Sequence, residues 1–286
     1  MFIPRKVLEG KLIQLLADDI GLGDITSGGI IPANMNLEAE VIAKETGLAA
    51  GIEEVTILAN ILGLKVTNVV SDGENFIKNQ KILRIFGDVR LILSSERTIL
   101  NLLSRMSGIA TATNRLINKL NEVKLKTKLA ATRKTVPGMN YFDKKAVLIG
   151  GGDTHRMNLT DMILIKNNHI TIVGNLQKAI EQAKNCASFT KKIEVEVTEI
   201  NDVIIAARAG VDIIMLDNFS PKKINEAIKL LKKENYFGKL LLEASGGINF
   251  DNFLEYAYTQ VDIISLGVLT HSVKSLDMAL KIIKRN

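Results

Sequence analysis

From Lys128 to Leu266 the chain repeats one rhythm. Short apolar runs stand at Lys128 to Ala131, Met162 to Ile165, Ile193 to Val197, Ile213 to Leu216, Leu240 to Leu242 and Ile263 to Leu266, most of them separated by amphipathic helical stretches. Strands buried on both faces read as unbroken apolar runs, and strands that alternate with helices are joined in parallel. Six such units, with a weaker seventh run at Val147 to Ile149, predict a closed or nearly closed β/α barrel in preference to an open sheet.

The first hundred residues follow another pattern. Leu8, Leu12, Leu15, Leu16 and Ile20 recur at helical spacing, while Leu37, Ala39, Val41 and Ala43 alternate with polar residues as a half-buried strand does. Strand-like runs near Leu64 to Val70 and Ile82 to Phe86, a helical stretch from Glu53 to Leu62, and a long one from Ser94 to Leu120 complete this part. The expected architecture is α/β: an N-terminal α+β sandwich domain over 1–110 and an incomplete, six- or seven-stranded β/α barrel over 111–273. A last helix, Leu276 to Ile283 within 274–286, is expected to fold back on the N-terminal domain. A chain of 286 residues is long enough for both cores.

Charge narrows the partners. The net charge is +6 and the sequence pI about 9.2, so an acidic partner is expected: nucleic acid, an anionic membrane or a small polyanion. At 5% aromatic residues and no Trp, there is little to stack bases on, and no recognition-helix or zinc-finger spacing is present, which argues against nucleic acid. The single cysteine, Cys186, excludes an internal disulfide and a cysteine-based zinc site, and reads as a small filler within a helix. No apolar run approaches the roughly 18 residues a spanning helix needs, and the first residues lack a signal-peptide core, so a cytoplasmic protein with no membrane partner is expected.

The chemistry concentrates between Thr132 and His169. Arg133, Lys134, His155, Arg156, Lys166 and the run Gly150-Gly151-Gly152 fall in this one stretch, beside apolar runs and turns instead of along a helical stripe. Arg supplies a planar fork of donors suited to carboxylate or phosphate, Lys a compact charge, and consecutive glycines let backbone amides approach phosphate oxygens. Charged residues also fall at the ends of the predicted strands, where β/α barrels keep their active sites: Lys166, Glu196, Asp217 and Glu243. Ser245-Gly246-Gly247 and the stretch from Gly267 to Ser272 follow late strands, the usual place of a phosphate cradle. Glu196 and Asp217, facing so much positive charge, suit Mg²⁺, directly or through water, better than an anion. Asp153 and Asp161 are given no role. A barrel aldolase with Lys166 or Lys134 as Schiff base is the alternative chemistry.

Ordered motifs run along nearly the whole chain: GLGDITS from Gly21, SERTILNLLSRMSGIAT from Ser95, TRKTVPG from Thr132, GGGDTHR from Gly150, LIKNNH from Leu164, EVEV from Glu194, MLDNF from Met215, EASGGI from Glu243 and GVLTHS from Gly267. In them the chain resembles the quinolinate phosphoribosyltransferases, the type II phosphoribosyltransferase family. The resemblance implies transfer of phosphoribosyl from phosphoribosyl pyrophosphate to the ring nitrogen of quinolinate with loss of the 2-carboxylate as CO₂, giving nicotinate mononucleotide and pyrophosphate in NAD biosynthesis. It implies that Arg97, Thr132, Arg133, His155, Arg156 and Lys166 line the quinolinate pocket, with Lys134 near both substrates. It further implies that Glu196 and Asp217 hold ribose hydroxyls and Mg²⁺, and that Ser245, Gly246, Gly247, Gly267 and His271 surround the phosphates. Lys134, Lys166, Glu196 and Asp217 carry the catalytic roles, and Arg97 reaches the site from the partner in a homodimer, with a hexamer as the larger alternative. One departure stands out: the family commonly has Arg where this chain has Asn140. A sister family associated with molybdenum transport shares the fold and acts on another base, which leaves a second substrate class open.

Overall fold

A computed structural model describes residues 3–283. Packing divides it into two compact units, one of residues through Asn114, Tyr141–Gly151 and Val273 onward, the other of Arg115–Asn140 and Gly152–Ser272.

The first unit opens with α1 (Arg5–Ile20), α2 (Ile25–Ile30), β1 (Asn36–Ala43), β2 (Gly47–Leu48), α3 (Ile52–Ile61), β3 (Lys65–Asn68), β4 (Asn75–Phe76), β5 (Lys81–Asp88) and α4 (Val89–Glu122). Asp24 explains why GLGDITS starts a helix, since its carboxylate caps α2 by accepting from the amides of Thr26 and Ser27. Ala39, Val41, Ile82, Leu83 and Ile85 of the sheet are buried, as are Leu8, Leu12, Val55 and Leu58 of α1 and α3. Glu40 is an exception in this apolar company; it lies beside Lys81 at 2.7 Å and Arg84 at 3.1 Å.

After α4 come β6 (Lys128–Ala130), α5 (Asn140–Ile149), β7 (Ile163–Ile165), α6 (Asn167–Val173), α7 (Leu176–Cys186), β8 (Ile193–Val197), α8 (Ile200–Arg208), β9 (Ile213–Asp217), α9 (Pro221–Lys233), β10 (Leu241–Ser245), α10 (Phe253–Ala257), β11 (Ile263–Ser265), α11 (Val268–His271) and β12 (Met278–Ile283). The second unit holds a six-stranded sheet in the order β6-β11-β10-β9-β8-β7, parallel throughout. This is the incomplete β/α barrel that the apolar runs predict. No helix among the described residues is long and apolar enough to cross a membrane.

Three expectations are corrected. The last segment is no helix: Met278–Ile283 is a strand, pairing antiparallel with β1 from Ala43↔Met278 to Glu38↔Ile283 and giving the sheet order β12-β1-β5-β3. Met, Ala, Leu and Lys favour helix, but β1 offers a row of unpaired backbone groups that only another strand satisfies. Residues 284–286 lie outside the described part.

Nor is Val147 to Ile149 a strand. It ends α5, which packs in the first unit: Arg105 grips Asp143 with two bonds of 2.7 and 2.8 Å, and Lys145 reaches Glu54 at 2.6 Å. What remains of a seventh strand is a single parallel bridge between Ala130 and Asp153. Finally, Cys186 is no buried filler, since it lies exposed at the end of α7.

Candidate active site

The carboxyl ends of the barrel strands surround a hollow of about 300 Å³. Because side chains alternate along a strand, Glu194 and Glu196 of β8 share one face, as do Met215 and Asp217 of β9, and Glu243 and Ser245 of β10. Of these, Glu196, Met215, Asp217, Glu243 and Ser245 line the hollow, with Ser265 of β11. Its basic side is made by Arg133 and Lys134 after β6, His155 and Arg156 before β7, and Lys166 after it, with Thr132 between.

Sequence reasoning therefore brings nine of its candidates to one place: Thr132, Arg133, Lys134, His155, Arg156, Lys166, Glu196, Asp217 and Ser245. Gly246 and Gly247 continue directly from Ser245. Gly267 follows β11 and packs beneath His271 and Lys134; a Cβ there would stand 2.9 Å from the His271 ring and 3.1 Å from Lys134 Cδ. Arg97, like Gly246, Gly247, Gly267 and His271, is not part of the lining; it is exposed on α4.

Local structure explains several motifs without chemistry. In LIKNNH, His169 Nδ1 accepts the Lys166 amide at 2.9 Å and so starts α6, fixing where Lys166 leaves the strand. In MLDNF, Asn218 takes a left-handed conformation and its amide side chain donates to Asp217 Oδ2 at 2.9 Å. Gly246 belongs to the same device: with φ +90°, a Cβ there would meet Asn218 Oδ1 at 2.4 Å. Asn140, the departure from the family pattern, donates to the Met157 carbonyl at 2.8 Å and ties the loop before α5 to the one after Arg156. Asp153 accepts the His155 amide and Asp161 the amides of Met157 and Asn158, so both shape the loop.

The glycine run at 150–152 is corrected. It lines no part of the hollow, and a Cβ on Gly150 would fall 2.6 Å from the Ala110 carbonyl, so this glycine lets a turn approach α4.

Two residues that sequence reasoning underrated lie under the basic rim. Glu243 does not end its strand in solvent; it and Glu194 are fully buried, with Oε2 atoms 3.1 and 3.3 Å from His155 Nε2. Burial pulls the imidazole pKa down, but the adjoining carboxylates of Glu194 and Glu243 push it up to about 10. Burial raises the Glu194 carboxyl to about 7, against the pull of His155. The signal was present in EVEV, where two acids alternate within an apolar run and must share one face.

Arg156 is nearly buried, and burial first, then the positive charge of Arg133, lowers its pKa. An anion bound between these guanidinium groups relieves both costs. Among the described residues, His155, Glu194 and Glu243 also place ligand atoms within 4.8 Å of one another, as metal ligands would. Here, however, Nε2 serves the carboxylates as a hydrogen-bond donor. Glu196 and Asp217 fit a hard cation better. They sit on neighbouring strands at the hollow, and Glu196 is 13% exposed, with Lys166 Nζ 3.5 Å away.

A larger hollow, about 500 Å³, opens among the strand starts, lined by Lys128, Lys192, Ile213, Leu241 and Asp262, and it shares His155 and Arg156 with the first. Charged side chains and the carboxyl ends of the strands converge at the smaller hollow, the usual place of the active site in a β/α barrel.

The fold is of the β/α-barrel class, with cationic side chains gathered at the carboxyl ends of its strands. Models of the quinolinate phosphoribosyl transferase N-terminal and C-terminal domains match residues 24–107 and 109–281. A protein of Methanocaldococcus jannaschii named probable nicotinate-nucleotide pyrophosphorylase (carboxylating) is 48% identical over 96% of each chain. The nicotinate-nucleotide pyrophosphorylase (carboxylating) of Dictyostelium discoideum is 38% identical over 99% of this chain and 98% of its own. The solved nicotinate-nucleotide pyrophosphorylase of Francisella tularensis superposes with a TM-score of 0.88 at 37% identity, covering 98% of both chains. The chain belongs to the quinolinate phosphoribosyltransferase family.

Proposed function

We propose that this protein transfers phosphoribosyl from phosphoribosyl pyrophosphate to quinolinate and releases the 2-carboxylate as CO₂, forming nicotinate mononucleotide and pyrophosphate for NAD biosynthesis. The observation that carries the reading is the facing of five cations, Arg133, Lys134, His155, Arg156 and Lys166, against the carboxylates Glu196 and Asp217 in one hollow of a chain of this family. A pyridine dicarboxylate matches the cations, and a pyrophosphorylated sugar with its metal matches the rest.

Arg133, His155, Arg156 and Lys166 take the two carboxylates and aim the ring nitrogen at the sugar. Glu196 and Asp217 would hold the ribose hydroxyls and Mg²⁺, while Ser245, Gly246, Gly247, Gly267 and His271 would lie about the phosphates. Bound Mg²⁺ would supply charge neutralisation on the pyrophosphate. The pyridine nitrogen forms a bond to the anomeric carbon as the bond to pyrophosphate oxygen breaks, and Lys134 offsets the departing charge. The ring nitrogen is then cationic, and when the carbon–carbon bond to CO₂ breaks the electron pair stays on C2, stabilised as an ylide by the adjacent positive nitrogen, until C2 takes a proton from water. No protein nucleophile is needed, so the protein contributes position and electrostatics.

Arg97, exposed and outside the hollow of its own chain, completes the partner's quinolinate pocket in a homodimer, with or without further assembly to a hexamer. The protein works in the cytoplasm on these small substrates. Incubation with quinolinate, phosphoribosyl pyrophosphate and Mg²⁺ is expected to release one CO₂ per nicotinate mononucleotide. Turnover of another base but not of quinolinate overturns the assignment in favour of the sister family's chemistry.

A further inference from the structure

His155 differs from the other cations of the mouth. Arg133 and Lys134 are exposed and Lys166 is 48% exposed, whereas the His155 side chain is 12% exposed and gripped on several sides. Its backbone stands at φ +48°, a left-handed conformation that few residues other than glycine adopt, and Asp153 Oδ1 fixes it there by accepting its amide at 2.7 Å. Nε2 points at Glu243 Oε2 and Glu194 Oε2, on β10 and β8. These two carboxylates act on the ring directly; Arg156, next in the chain, also attracts Glu194, and Arg133, Lys134 and Lys166 line the same hollow.

The interior of a β/α barrel is ordinarily filled with branched apolar side chains. Here it holds two fully buried glutamates, and one ring N–H can serve only one of them. With that bond given to Glu243, both Glu194 oxygens, Glu243 Oε1 and Ser265 Oγ remain buried without a hydrogen bond. Such an arrangement costs stability unless a cation lies within it.

The ring's own chemistry makes the point sharper. A neutral imidazole has one N–H and one lone pair. If the N–H is committed to Glu243, the remaining nitrogen presents a lone pair, which repels a carboxylate. Only the imidazolium can bond to the glutamates through Nε2 and still offer Nδ1–H to an anion.

We propose that Glu194 and Glu243 are positioning residues that together keep His155 doubly protonated, with Nε2 anchored in the barrel core and Nδ1–H left as a donor for a substrate carboxylate at the mouth. The substrate in this statement rests on the reading of the site as a quinolinate pocket; the protonation of His155 does not. The upward displacement of the His155 pKa to about 10 agrees with this geometry.

The chain has three histidines, so nitrogen-15 spectra of histidine-labelled protein can be assigned with His169→Asn and His271→Asn. In the unmodified protein, both His155 nitrogens are expected to stay protonated from pH 6 to 9. In Glu243→Gln, with Glu194 still beside it, the ring is expected to titrate below its value in the unmodified protein, at a midpoint inside this range. Quinolinate binding by this variant should weaken on the order of tenfold above that midpoint and recover below it, the effect of losing one charge-assisted hydrogen bond. Glu243→Asp should restore part of the high-pH binding, which a merely structural role would not produce. A His155 midpoint near 6.5 in the unmodified protein, or one that Glu243→Gln leaves in place, overturns the proposal. Should Glu243→Gln fail to fold, the titration of the unmodified protein and of Glu194→Gln decides. If quinolinate does not bind at all, the reading of the substrate fails, while the spectra still settle the state of His155.

Discussion

Lys145 Nζ stands 2.6 Å from Glu54 Oε1, joining side chains 91 residues apart in sequence that are 7% and 0% exposed. The same ammonium contacts Glu53, which is 59% exposed. Burial raises the Glu54 carboxyl above its ordinary range although Lys145 draws it down. Lys145→Met would leave that carboxylate uncompensated, and a loss of about 3–5 kcal/mol in urea unfolding is expected. Glu53→Gln, which breaks only the solvent-facing arm, should cost about 0–1 kcal/mol. Equal losses from the two would show that the buried arm has no special weight.

The site divides between chains if Arg97 acts on its partner. Arg97→Ala and Arg133→Ala should each be nearly inactive alone, and a mixture of the two should regain activity after subunit exchange, because one mixed site then carries both arginines. Assay of the mixture against each variant gives the answer; no recovery places Arg97 in its own chain's chemistry or in none.

Gly246 is packed against Asn218 so tightly that a methyl group has no room. Gly246→Ala also forces a side chain into a left-handed backbone, at a cost of about 1–3 kcal/mol. If this turn borders the phosphates, as proposed, the KM for phosphoribosyl pyrophosphate should rise much more than that for quinolinate. Initial rates with each substrate varied in turn test this.

Stability should fall on the alkaline side. The His155 pKa is about 10 in the folded chain against 6.5 for the free side chain, so the native state holds a proton that the unfolded chain gives up. Its contribution is complete below pH 6.5 and is lost as pH rises through about 10. Urea midpoints from pH 6 to 10 should decline in the parent protein and less steeply in His155→Asn; parallel curves would count against it.

Chelation should abolish turnover, and added Mg²⁺ should restore it, if Glu196 and Asp217 serve a metal-bound donor. Activity that survives exhaustive chelation removes the metal from the site.

Much of the barrel is legible because its strands are short apolar runs, and in β7, β8 and β9 the charged residues at or near the carboxyl end put Lys166, Glu196 and Asp217 at the mouth. What misled was local ambiguity. Met278–Ile283 is a short, mostly apolar run whose Met, Ala, Leu and Lys lean to helix, and its partner β1 lies more than two hundred residues earlier, beyond any local pattern. Val147 to Ile149 looked like a strand because the apolar flank of a helix ended there. Glu194 is not legible as a partner of His155, because an acid inside an apolar run reads as a neighbour of the site; only the barrel interior brings the two together.

The pairing of β12 with β1 also sets an order of events. A ribosome delivers residues 36–43 early, yet the strand that covers their outer edge is made after the whole barrel. During synthesis the first sheet must wait with an open flank, so nascent chains stalled before residue 278 are expected to engage chaperones through it.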